Sequence, residues 1–217
     1  MPSFELLSLA LIAAAAALAG AMTWAALARG RPSASEKALD DGDYESVLAA
    51  VDEEDANGRE LLALAVAAKH SLELERADSA LDRLLAREPD HGEAWLERGL
   101  VAAYAGRHRA ATEAFKIAAT ERSDLTEALQ LHQAWSHLDA GNEESARRLF
   151  DEIAAPIENK LRRDIGGADP FFAEWYAQSA RLWAFSGDLE LARWAASQAL
   201  TAAPDSALVQ HLCEPVP

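Results

Sequence analysis

The stretch AWLERGLVAAYAGRHRAATEAFKIA, residues 94–118, decides the fold of this chain. Alanine, leucine and other strong helix formers fill it, and β-branched residues are few. Small residues stand at Gly99 and Ala111, and a large one stands at Phe115. Between them lies Gly106, and glycine readily adopts the left-handed backbone that ends a helix. The stretch therefore predicts two antiparallel helices that approach closely at their small residues and turn at Gly106.

The same pattern returns in the neighbouring segments at nearly constant spacing; for example, Gly141 follows Gly106 by 35 residues. The matching residues are Leu61, Ala65, Ala77, Leu81, Leu84 and Pro89 upstream, Ala134, Gly141, Ala146, Phe150 and Ile153 downstream, and Tyr176, Ala180, Trp183, Gly187, Ala192, Ala196, Ala199 and Pro204 in a fourth unit. Gly42 begins a truncated first unit. A single pair of helices cannot bury its apolar face, so the pattern predicts an all-α solenoid of stacked helical hairpins.

Residues 94–118 resemble the tetratricopeptide repeat. That unit of about 34 residues carries a Trp-x2-Leu-Gly-x2-Tyr segment, then Ala-x3-Phe, then a late proline. Here Trp95, Ala111 and Phe115 carry the match, whereas Arg98 stands where the family has leucine. The resemblance implies about four to five repeats of the helix-turn-helix type.

An uncharged segment of 23 residues, Leu6–Ala28, precedes the repeats. As a helix rising about 1.5 Å per residue it reaches about 34 Å, enough to cross a hydrocarbon core of about 30 Å. A signal peptide has a basic start and a shorter apolar run, so a retained transmembrane anchor is favoured, although Ala26–Ala28 suits a signal peptidase. The flanking bases Arg29, Arg31 and Lys37 all follow the segment. By the positive-inside rule the repeats are expected in the cytoplasm.

The expected organisation therefore has five parts. They are a short tail over residues 1–5, a transmembrane anchor over 6–28, a linker over 29–35, the solenoid over 36–204 with an insertion near 156–170, and a capping helix and tail over 205–217.

Charge and motif content exclude several function classes. The sequence has 20 basic and 36 acidic residues, and this acidity disfavours nucleic acid because phosphate binding rests on Lys and Arg. The one cysteine, Cys213, can form neither an internal disulfide nor a zinc tetrad. His132 and His137 are five apart and face different sides of a helix. With no phosphate loop, dinucleotide turn, nucleophile elbow or zinc-protease motif, we expect no enzyme, cofactor, metal or small-molecule substrate.

The family resemblance implies an apolar inner groove that binds an amphipathic helix or an extended peptide of a partner protein. The implied groove residues are Leu62, Val66, Lys69, His70, Leu96, Leu100, Tyr104, Leu131, Trp135, Leu138, Arg181 and Phe185. An alternative stays open, in which Tyr104, Trp135 and Phe185 are buried by a final helix that folds back through Leu208 and Leu212.

The predicted insertion contains three bases, Lys160, Arg162 and Arg163, in an otherwise acidic domain. They predict a docking loop for an acidic partner or for lipid headgroups. The alternative is an extended helix end whose bases complement the helix dipole.

Together these features predict a single-pass, non-catalytic scaffold or adaptor at the cytoplasmic (inner) membrane that assembles envelope complexes. The layout is similar to that of lipopolysaccharide-assembly regulators, but the chain lacks their cysteine-rich module. One alternative is an extracytoplasmic assembly factor similar to the repeat-bearing cytochrome c maturation proteins. Another is a structural subunit of a membrane complex.

Overall fold

The computed structural model describes residues 33–121, 126–163 and 170–217. Across these ranges the regular structure is entirely helical, which confirms the all-α class. None of the helices in them is both long enough and apolar enough to span a bilayer. The anchor predicted over residues 6–28 lies outside the described residues.

Eleven helices occur in the described part of the chain, within the unit Ala34–Pro217. They are α1 (Ala34–Asp40), α2 (Tyr44–Ala50), α3 (Gly58–His70), α4 (Leu74–Arg87), α5 (Gly92–Tyr104), α6 (His108–Glu121), α7 (Thr126–Asp139), α8 (Glu143–Arg163), α9 (Pro170–Ser186), α10 (Leu189–Ala202) and α11 (Ala207–Cys213). Helix α1 begins inside the predicted linker.

Five hairpins turn in the same way. At each turn one residue has a left-handed backbone, with φ of 60° at Leu72 and 71° at Gly106, for example. The next residue donates its amide hydrogen to the carbonyl five positions back, as Arg107 does to Ala102 at 2.8 Å and Glu73 does to Ala68 at 2.8 Å. This bond satisfies carbonyl groups that the end of the helix leaves free.

The two helices of a hairpin pack closely where one side chain is missing. A β-carbon built on Gly99 in α5 would overlap the ring of Phe115 in α6. Phe115 is itself buried in a core cluster that runs from α5 to the C-terminus, and a second cluster covers α2 to α5. Trp95 packs against both clusters and so connects them.

The first helices of successive hairpins, α3, α5, α7 and α9, contact one another in order. We call the side that they form the inner face. Helix α11 packs against both α9 and α3, so the C-terminal end of the chain meets the first complete hairpin. Helix α11 thereby covers part of the inner face.

Candidate functional site

The inner face encloses a network of buried polar side chains, and Lys69 at the end of α3 is its central member. Lys69 is only 1% exposed. Its ammonium Nζ lies 2.7 Å from Glu97 Oε2 on α5 and 2.6 Å from Glu174 Oε2 on α9. A buried charge is tolerated only when it is paired and hydrogen-bonded, and these two carboxylates meet that need. Lys69 therefore joins three helices of the inner face.

The second carboxylate oxygen of Glu174 accepts a hydrogen bond from the Tyr104 hydroxyl. The amide nitrogen of Gln178, one turn along α9, donates to the same hydroxyl at 2.5 Å. The amide oxygen of Gln178 lies 2.6 Å from His132 Nδ1 on α7. Through these bonds α9 is fixed to α5 and α7 as well as to α3.

His70 connects α3 to the C-terminal helix. Its Nδ1 lies 2.8 Å from Ser206 Oγ, and its ring stacks on Tyr44 with centroids 4.5 Å apart. Ser206 is the N-cap of α11, because its hydroxyl also accepts from the amide of Val209. One serine thus caps α11 and ties it to α3.

The electrostatics of the network follow from burial and from Lys69. Burial alone would lower the pKa of Lys69, but Glu174 and Glu97 outweigh burial and raise it above its ordinary value. Burial alone would raise the pKa of Glu174, but Lys69, His132 and His70 lower it. Burial raises the pKa of Glu97. Burial, together with Lys69, lowers the pKa of His70 to about 3, so this ring is neutral at pH 7.

A pocket of about 110 Å³ lies beside α11, and we call it the rim pocket. It is lined by Leu72, Tyr104, Trp135, Asp139, Arg181, Leu208, His211 and Leu212. The rings of Tyr104 and Trp135 lie 4.6 Å apart at their centroids. Arg181 and Asp139 form a loose ion pair with 3.9 Å between Nη1 and Oδ1. Because Tyr104 is bonded to Glu174, the buried network positions part of the pocket wall.

The residues predicted to line an open groove are divided among four environments. Lys69 and His70 belong to the buried network, while Tyr104, Trp135 and Arg181 line the rim pocket. The predicted groove residues buried in the core are Leu96, Leu100 and Leu131, and those that are half-buried are Leu62, Val66, Leu138 and Phe185.

Part of the expected open groove is therefore covered by α11, while α9 forms one of its walls. Leu208, Val209 and Leu212 of α11 are almost fully buried, as the alternative interpretation expects. Trp135, with 2% exposure, shares this buried environment, so its ring is not a free anchor for a partner.

The three bases predicted as a docking loop lie in the last turn of α8, which continues through Pro156. The ammonium of Lys160 lies over the Trp175 ring at 5.1 Å, and the guanidinium of Arg162 lies over the Trp194 ring at 4.7 Å. Arg163 donates to the backbone carbonyl of Asn159 in its own helix. This arrangement agrees with the helix-end alternative.

Sequence reasoning missed Glu97, Glu174, Gln178 and Ser206 because polar residues on mostly apolar helices carry no periodic signal. It also missed Leu72, for which a signal exists. Counting 34 residues back from Gly106 reaches Leu72, where a glycine would be expected.

Among the described residues, no three His, Cys, Asp or Glu side chains are grouped so as to hold a metal ion. No family model, curated protein or solved structure matches this chain.

Proposed function

We propose that this chain is a membrane-anchored, non-catalytic scaffold of tetratricopeptide-repeat type that binds other proteins at its rim pocket. The observation that supports the fold most strongly is the repeated turn. Left-handed residues occur at positions 42, 72, 106, 141 and 187. The two central spacings, 34 and 35 residues, equal the length of the family's unit of about 34 residues. The longer last interval includes the extension of α8.

Protein binding is the function that this surface supports best. The charged network at the centre of the inner face is buried and therefore closed to a partner, whereas the rim pocket is open beside α11. Such a pocket, with aromatic and leucine walls and a charged edge, is typical of sites that anchor one side chain of a protein partner.

The test is photo-crosslinking of the full chain in its native membranes. A benzoyl-phenylalanine replaces His211 at the rim pocket or, as the control, Leu200, which is 40% exposed on α10. We expect a discrete adduct from position 211 and none from position 200. Adducts from neither position, or from the control alone, would contradict the proposal.

A structural subunit of a membrane complex is the second candidate, and the covered inner face favours it, since such a subunit needs no exchangeable ligand. The same photo-crosslinking experiment distinguishes a subunit from an adaptor. A partner that stays stoichiometric through detergent and high salt indicates a subunit. A partner that salt or a competing peptide removes indicates an adaptor.

We also propose that the repeats face the cytoplasm, on the side of the basic flank. Burial raises the pKa of the Cys213 thiol to about 11, so this thiol reacts slowly. A cysteine placed at the exposed Glu190 is therefore the only rapidly labelled site. A membrane-impermeant maleimide should leave Glu190→Cys unlabelled in intact cells and label it after lysis. Labelling in intact cells would favour the extracytoplasmic assembly factor instead.

A further inference from the structure

The rim pocket has the size of one aliphatic side chain. Its volume of about 110 Å³ is smaller than the cavity of about 150 Å³ that accepts a benzene molecule. Leu72, Leu208 and Leu212 supply aliphatic walls and Tyr104 and Trp135 supply aromatic ones, while the rest of the lining is polar and consists of Asp139, Arg181 and His211. A branched chain of four carbons would contact apolar atoms on several sides.

Leu72 is the unusual member of this wall. It is the only non-glycine residue with positive φ in the described part of the chain, and the other four hairpin turns use glycine at this position. A β-carbon is sterically disfavoured in the left-handed region, because it crowds the following carbonyl oxygen. The side chain nevertheless stands 39% exposed beside the pocket. Glycine would adopt this backbone conformation with less strain than leucine. The presence of a leucine side chain here therefore points to a role in binding.

The folded unit as a whole is strongly acidic. Residues 33–217 contain 35 acidic and 18 basic side chains. At the pocket itself Asp139 already faces Arg181, and His211 lies 4.0 Å from Glu214. Charge complementarity therefore favours a partner whose pocket-filling residue is flanked by lysine or arginine.

We propose that the rim pocket binds one aliphatic side chain within a basic segment of a partner protein, and that Leu72 closes over that side chain. This inference rests on the proposed function, because it names the class of partner for the same site. It assigns to Leu72 a specificity role that the turn itself does not require.

The test uses the full chain in zwitterionic nanodiscs, with empty nanodiscs as the blank. The probe is a capped pentapeptide with a central leucine flanked by two lysines on each side, and binding is followed through the leucine methyl signals in NMR spectra. We expect shifts at Leu72, Leu208 and Leu212. Replacing the central leucine of the probe by alanine should weaken binding about tenfold or more. The alanine peptide buries three fewer carbons and so loses most of the binding free energy that comes from apolar contact. Replacing the lysines by glutamates should abolish it.

Variants of the chain complete the test. Leu72→Gly should lower the affinity for the leucine peptide about fivefold, while the melting temperature of the chain stays level or rises. The matched control, Leu200→Ala, should bind within about twofold of the native chain. Equal affinity for the leucine and alanine peptides, or undiminished binding by Leu72→Gly, would overturn the inference.

The proposed function can survive that outcome. If the peptides do not bind but the crosslinker at position 211 still captures a discrete partner, then the partner's chemistry is wrong and the scaffold role stands. If neither experiment gives binding, both proposals fail.

Discussion

Lys69 is a buried positive charge, and its removal would leave two carboxylates without a partner of opposite charge. In Lys69→Met, Glu174 and Glu97 lose the ammonium group that stabilises them, and leaving a buried charge unpaired costs about 3–5 kcal/mol. We expect the free energy of unfolding, measured by urea denaturation, to fall by that amount. Adding Glu174→Gln should recover part of the loss, because an uncharged amide still accepts from Tyr104.

The control for this prediction is Lys116→Met. Lys116 also pairs with a carboxylate, that of Glu113, but both side chains are about two-thirds exposed. An exposed pair contributes little, so this variant should stay within about 0.5 kcal/mol of the native chain. If Lys69→Met costs no more than Lys116→Met, the network does not stabilise the fold.

His70 makes stability depend on pH in a defined direction. Its pKa is lowered from 6.5 to about 3, so below pH 6.5 the unfolded chain binds a proton that the folded chain does not. Stability is therefore lost as the pH falls from 6.5 towards 3, by about 2 kcal/mol at pH 5 from this residue.

The measurement is urea unfolding at pH 7 and pH 5. The loss between these values should be about 2 kcal/mol smaller in His70→Gln than in the native chain. The control His211→Gln, whose side chain is 63% exposed, should keep the native loss. Lys69 still lowers the pKa of Glu174 in His70→Gln, so the other titratable groups contribute nearly alike to all three chains and the difference reports mainly on His70. An equal loss in His70→Gln would contradict the prediction.

At the scale of helices, a substitution at Gly99 changes stability through two opposing effects, helix propensity and packing. Helix propensity alone predicts that Gly99→Ala stabilises α5 by about 1 kcal/mol. The structure predicts the opposite sign, because the new β-carbon would overlap the Phe115 ring, and overpacking costs about 1–3 kcal/mol. We expect the melting temperature to fall, and to recover partly when Phe115→Leu is added. A rise in Gly99→Ala would show that α5 and α6 are not this close.

The hairpins themselves could be predicted from sequence because their signals are local. A glycine at 106 or 141 and small residues at fixed offsets specify a turn and a close crossing within one period. The turn at Leu72 follows the same backbone without the glycine, so only the spacing could reveal it. The course of α8 was also left open, since Pro156 could equally have ended the helix.

At the scale of the whole folded unit, the sequence allows the inner face to be open or to be covered by the final helix, and it does not decide between them. The pair Lys69–Glu174 spans 105 residues and the pair His70–Ser206 spans 136. Contacts between residues so distant in sequence leave no periodic trace. The predicted groove residues lie on α3, α5, α7 and α9, but several of them are buried in contacts with distant parts of the chain, as Lys69 is with Glu174 and His70 is with Ser206.

Hydrogen exchange of the full chain tests most directly whether α11 covers the inner face. We expect the amides of residues 209–213 in α11 to exchange as slowly, within about tenfold, as those in the middle of α7, because α11 is buried and capped on the inner face. Exchange of α11 at the rate of an unstructured peptide, with α7 still protected, would show that the inner face is open and would contradict the account.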